Sequence, residues 1–121
     1  MVLIFGGVYQ GKLDYAKEHY GGTVFDCRGT TLNFEAKIIN GLENFVRACV
    51  AEGMEAADYL AENRQKLADK VIICRDISQG IVPMEKEERA WREMTGRAML
   101  YLGKEAEEVI RIFCGLAQQV K

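Results

Sequence analysis

One proline, one histidine and one tryptophan in 121 residues rule out several kinds of chemistry before any pattern is sought. A mechanism that needs two histidines is excluded, because His19 stands alone. The four cysteines, Cys27, Cys49, Cys74 and Cys114, are widely separated, with no C-x-x-C pair, so their spacing argues against a zinc site. They read instead as small hydrophobes of a reducing compartment. No excess of one charge is present: the net charge is −2, and no cluster of lysines and arginines offers a surface to nucleic acid. There is no run of about 18 apolar residues, so no membrane-spanning helix is expected. The apolar start stops at Gly6 and lacks a basic leader, unlike a signal peptide, and a cytoplasmic location follows as the expectation. No repeat, linker or low-complexity stretch divides the chain. With 49% apolar and 28% charged residues, the expectation is one globular domain over residues 1–121.

What is present begins at the N-terminus. Val2-Leu3-Ile4-Phe5 is a short apolar strand that runs straight into Gly6-Gly7-Val8-Tyr9-Gln10-Gly11-Lys12-Leu13. The frame is G-x-x-x-x-G-K, the phosphate-binding P-loop, in its proper context between a strand and a helix. Glycines allow consecutive backbone N–H groups to turn inward around an anion. A helix starting near Gly11 aims its positive end at the same point. Lys12 supplies a point charge for the outer phosphates. The residue after the lysine should be Ser or Thr, whose hydroxyl binds Mg²⁺; here it is Leu13. The bland alternative is an ordinary strand-to-helix turn carrying an exposed lysine.

Along the chain, Leu13, Ala16 and Tyr20 mark one face of a helix that Gly21-Gly22 ends. His19 lies on this helix and reads as a surface or partly packed residue. Thr23-Val24-Phe25-Asp26 is a short strand closed by an acid. Asp26 can hold Mg²⁺ through water or merely start a turn. Phe34 to Val50 shows apolar residues at helical spacing (Ile38/Ile39, Leu42, Phe45/Val46, Cys49/Val50), which predicts one long amphipathic helix capped by Asn33. A further helix is expected from about Glu55 to Ala68. Val71-Ile72-Ile73-Cys74 reads as a strand covered on both faces. The loop after it holds Asp76, Ser78, Gln79, Gly80 and Pro83, and as a strand-end loop it is expected to line the same crevice as the P-loop. Asp76 is the second candidate for the acid on the Mg²⁺ side. A helix over Met84–Gly103 has Trp91, Met94, Ala98 and Leu102 inward, with Glu88–Arg92 and Glu93–Arg97 as i,i+4 pairs. Val109–Cys114 is a last strand and 115–121 a tail or edge strand. The expected fold is α/β and P-loop NTPase-like: a small, mainly parallel sheet of about four strands flanked by helices.

These residues resemble one family. Gly6–Lys12, the loop Gly80-Ile81-Val82-Pro83, the segment Arg92-Glu93 with Gly96-Arg97, and the closing strand with its glycine are similar to the bifunctional adenosylcobinamide kinase/adenosylcobinamide-phosphate guanylyltransferases of cobalamin biosynthesis. The resemblance covers about half the chain. It implies a P-loop protein that binds GTP or ATP with Mg²⁺, phosphorylates a hydroxyl of a corrinoid, and forms homo-oligomers. It also implies guanylyl transfer through a histidine, and here the chain departs. The segment between the first helix and residue 70 is shorter than in typical members, and His19 does not match the nucleophile. Arg75-Asp76 replaces Asn-Glu, Met99 replaces Asn, and Leu13 replaces the hydroxyl residue. The expectation is therefore a nucleotide-binding, kinase-like protein with Lys12 and Asp76 as its catalytic pair and guanylyltransferase activity lost. The alternative is a non-catalytic relative that binds nucleotide or corrinoid as an assembly or regulatory module.

Overall fold

A computed structural model of the chain describes residues 1–8, 10–77 and 85–121. Its strands are β1 (Val2–Gly6), β2 (Val24–Asp26), β3 (Ile38–Asn40), β4 (Val71–Arg75), β5 (Glu108–Phe113) and β6 (Leu116–Gln119). Its helices are α1 (Lys12–His19), α2 (Leu42–Glu52), α3 (Ala56–Glu62), α4 (Arg64–Leu67) and α5 (Lys86–Glu105). The strands form one six-stranded sheet in the order β2-β3-β4-β1-β5-β6. All neighbours pair in parallel except β6, which closes the edge as an antiparallel hairpin with β5. This is the expected α/β, P-loop-like architecture, with two more strands than the apolar runs suggested. No helix among the described residues is long and apolar enough to cross a membrane.

The period-two geometry of strands splits the core into two layers. Leu3, Ile39, Ile72, Cys74 and Val109 face α2, α3 and α5, joining Phe45, Leu60 and Leu102. Ile4, Ile38, Ile73, Ile110 and Ile112 face the other way, where α1 contributes Ala16 and packs Leu13 and Tyr15 against them. β1 and β4 are thus apolar on both sides, as a central parallel strand must be.

The region 34–50 departs from the expected single helix. Ile38 and Ile39 are both fully buried, one in each layer, as adjacent residues of a strand are and as neighbours on a helix stripe are not. Gly41 then takes φ +77°, a left-handed turn that a side chain resists, and its N–H bonds the Ile73 carbonyl at 3.1 Å. Only after this break does α2 start. Asn33, expected as a helix cap, instead accepts the Glu35 N–H in a local turn (2.9 Å). The helix expected over 55–68 is interrupted at Asn63, whose amide donates to the Tyr59 carbonyl (2.8 Å) and ends α3.

The inward stripe of α5 is as expected: Met94, Ala98 and Leu102 are buried. Trp91 ties α5 to α2 by donating from Nε1 to the Glu43 carbonyl (2.8 Å), while Arg47 lies 3.9 Å over its ring. Arg97 forms a bidentate pair with Glu55 at the head of α3 rather than resting on its own helix (3.0 and 3.1 Å). Arg92 Nε donates to the Ile77 carbonyl (2.9 Å).

Gly6 pairs with Ile112, and a Cβ placed on it would collide with the Ile112 carbonyl oxygen. Gly6→Ala is therefore expected to destabilise the fold by about 1–3 kcal/mol in urea denaturation. Cys27, Cys49 and Cys74 are buried and Cys114 is exposed. Burial pushes the Cys27 thiol up to about 12 and Cys49 up to about 11, and raises Cys74 as well. Since the thiolate is the reactive form, one thiol should react rapidly with a disulfide reagent at pH 8, and four once the chain is unfolded. These buried thiols hold their protons where the unfolded chain has lost them. Stability should therefore be flat below about pH 8.5 and fall as pH rises toward 11.

Candidate nucleotide-binding site

The carboxyl end of β1 is where the sheet changes direction. The connection after β1 goes to α1 on one face, whereas the one after β4 leads to α5 on the other. β1 and β4 are neighbours, so their ends form a topological switch point, the place where open α/β sheets leave a crevice for ligands. The backbone ties the two ends together: the Asp76 N–H donates to the Gly6 carbonyl at 2.8 Å.

From Gly6 the chain turns through the glycine-rich loop into α1. Gly11 is the residue before the helix and holds φ +87°, which explains a glycine there. The Tyr15 N–H bonds the Gly11 carbonyl (3.0 Å), so the helix begins directly beneath the loop and its N-terminal dipole points toward it. Lys12 reaches back across the loop, and its Nζ donates to the Gly7 carbonyl at 2.6 Å. The ammonium thus sits over the cup on a contact that an incoming phosphate oxygen can replace. Burial lowers the Lys12 pKa from its ordinary value, against an upward push from the Glu43 carboxylate. A half-buried cation whose described hydrogen bond goes to a main-chain carbonyl is suited to an anion.

The loop is buttressed from the opposite end of the chain. Gln10 Oε1 accepts the Cys114 N–H, and the Gln10 carbonyl accepts the Gly115 N–H at 3.1 Å. Cys114 and Gly115, the turn between β5 and β6, both hold positive φ (51° and 75°). That strained turn presents two consecutive amides to one glutamine.

The expected site residues are distributed as follows. Gly6, Gly7, Val8, Gln10, Gly11 and Lys12 form the strand-to-helix turn, with Val8 exposed. Leu13 packs against the apolar layer under α1, so the position that would carry a metal-binding hydroxyl is committed to the core. Asp76 stands beside Gly6. Asp26 ends β2, and its Oδ1 accepts from Asn40 Nδ2 (2.8 Å). With β3 and β4 between them, β2 lies about 14 Å from β1 at roughly 4.8 Å per strand. Tyr9, Ser78, Gln79, Gly80 and Pro83 lie outside the described residues. His19 is at the far end of α1, stacked on Tyr15 at 3.9 Å with its Nδ1 against the Tyr15 carbonyl (3.0 Å).

One acid was not foreseen. Glu43, in the first turn of α2, accepts the Arg75 N–H at 2.9 Å and acts electrostatically on Lys12 and Cys74. In the sequence it resembles any outward-facing helical glutamate, and only the turn at Gly41 brings it to the end of β4. No group of three or more His, Cys, Asp or Glu among the described residues could hold a metal by itself. Mg²⁺ in phosphate sites commonly takes one or two carboxylates plus phosphate oxygens and water, and Glu43 and Asp76 are the carboxylates at this strand edge.

A family model described as cobinamide kinase / cobinamide phosphate guanyltransferase matches residues 22–120. No match was found among curated proteins. The matched span starts after α1, so it does not include the glycine-rich loop at residues 6–12. The chain belongs to the cobinamide kinase / cobinamide phosphate guanyltransferase family.

Proposed function

We propose that the chain is a single domain that binds a nucleoside triphosphate, GTP or ATP with Mg²⁺, in the cup between Gly6 and Lys12. The observation that carries this reading is the Lys12 ammonium folded onto the Gly7 carbonyl above the N-terminus of α1. Lys12 would exchange that carbonyl for the outer phosphates, and the loop amides of residues 7–11 would hold the remaining oxygens. Asp76 is favoured over Asp26 as the acid on the metal side, since it adjoins Gly6 while Asp26 stands strands away. When bound, Mg²⁺ would neutralise charge on the phosphates, with Asp76 and Glu43 the residues placed to hold it.

The activity in this reading is a cobinamide-kinase-like phosphoryl transfer to a corrinoid hydroxyl, in which the protein's part is positioning and charge stabilisation. Guanylyl transfer through histidine is absent from it, because the sole histidine stacks on Tyr15. A second reading is favoured by Leu13, whose partly buried apolar side chain packs against the layer under α1 and offers no hydroxyl. On that reading the chain binds nucleotide or corrinoid without catalysis and serves as an assembly or regulatory module.

Thermal-shift measurements with millimolar GTP and ATP, with and without Mg²⁺, test both. A ligand at about 100 times its Kd adds about 2.7 kcal/mol, enough to raise Tm by several degrees. No shift with either nucleotide overturns the proposal. Lys12→Ala should abolish the shift, and a surviving shift would place the binding site elsewhere. Leu13→Ser should make the shift more dependent on Mg²⁺, and an unchanged response would remove Leu13 from the account of the metal. Phosphorylation of cobinamide by the wild type selects the kinase, whereas a shift without phosphorylation selects the module.

A further inference from the structure

β4 runs through four buried apolar residues and closes on Arg75, a cation. Alternation along the strand decides which face of the sheet that side chain serves. Cys74 belongs to the layer under α2, α3 and α5, and Asp76 lines a cleft on the same side. Ile73 belongs to the layer under α1, and Arg75, two residues on, turns the same way. Its register partner on β1 is Gly6, where the glycine-rich loop leaves the sheet for α1. Arg75 thus stands beside the phosphate cup, on the face that carries α1 and Lys12.

The Arg75 side chain is exposed, and neither ion pair among the described residues, Lys70–Asp69 or Arg97–Glu55, includes it. Glu43 accepts the Arg75 main-chain N–H at 2.9 Å, so its carboxylate holds the backbone here and not the guanidinium. Arg75 is also close enough to Lys12 for its charge to lower the Lys12 pKa. Two cations therefore share the α1 side of the cup, at the positive end of a helix. Like charges brought together cost the folded chain free energy, and an anion that bridges them removes that cost. Lysine is a point charge, whereas the guanidinium offers a planar fork that takes two phosphate oxygens. A chain of linked phosphates can meet both groups at once.

We infer that Arg75 is a second phosphate-binding residue of the cup, which with Lys12 makes it a site for linked phosphates in preference to a single phosphate. This rests on the reading of the Gly6–Lys12 loop as a phosphate cup. The loop amides and Lys12 hold one phosphate, and the Arg75 fork holds its neighbour in the chain.

Inorganic triphosphate, without nucleoside or metal, is the probe in isothermal titration of the full chain. The wild type should bind one equivalent, and orthophosphate at the same concentrations should give no saturable heat. Arg75→Gln should weaken triphosphate binding about tenfold or more. Arg64→Gln removes the same charge from α4, which leads into the opposite end of β4, and should weaken binding by less than about twofold. The melting temperature of unliganded Arg75→Gln should be unchanged or raised, since the main-chain bond to Glu43 stays and the charge beside Lys12 goes. Equal affinity of wild type and Arg75→Gln overturns the inference, as does equal weakening by Arg64→Gln. So does orthophosphate binding as tight as that of triphosphate, a wild type that does not bind triphosphate, or a lowered melting temperature in Arg75→Gln, which would mark a structural role. Triphosphate binding that depends on Arg75, with no thermal shift by GTP or ATP, leaves the inference standing and overturns the nucleotide reading alone.

Discussion

The burial of β1 between two parallel neighbours and two apolar layers governs the rest of the site. Leu3 and Ile4, successive residues, are each locked into a different layer, so the strand can neither rotate nor slip without exposing one of them. Register with β4 and β5 then fixes where Gly6 ends. Backbone amides make a useful anion receptor only when their directions are set in advance, because a loop that reorders on binding gives up much of the gain to lost conformational freedom. The rigid strand supplies that order from one side and α1 from the other.

The approach of β4 to β1 has a second effect. It brings together groups far apart in the chain: Lys12 after the first strand, Glu43 after the third, and Asp76 after the fourth. The Glu43 carboxylate holds the backbone of β4 as well as carrying charge, since it accepts the Arg75 N–H, and the main-chain N–H of Asp76 donates to the Gly6 carbonyl. Mutual placement of the charged groups is therefore built into the sheet's own hydrogen bonding. The same carboxylate that moderates the effect of burial on Lys12 also helps to set the end of β4.

How far residue patterns could be read differs along the chain for physical reasons. The strand β1, the P-loop frame, α1 and β4 were legible because each carries a long or chemically distinctive signal. β3 was not: at three residues it is too short for a period to show, and its Ile38-Ile39 pair continues the apolar spacing of α2. The glycine that separates them is as compatible with a weakened helix as with a left-handed turn, and only sheet pairing decides between these. The break at Asn63 was hidden for a related reason, because its side chain competes for a backbone carbonyl in a way that composition does not reveal. The glycine-rich loop is plain from residue types, whereas the distances of Asp26 and Asp76 from it depend on strand order, which no local pattern encodes. Glu43 depended on it as well.

Gln10 joins residues about a hundred positions apart in sequence, since its side chain and carbonyl both bind the turn at Cys114 and Gly115. The glycine-rich loop is accordingly braced by the final hairpin, so its support is complete only once nearly the whole chain has been synthesised and β5 has docked. A nascent or truncated chain that has its first two elements but not its last would carry the glycine motif without this brace. The shape of the first loop is in this way coupled to completion of the sheet.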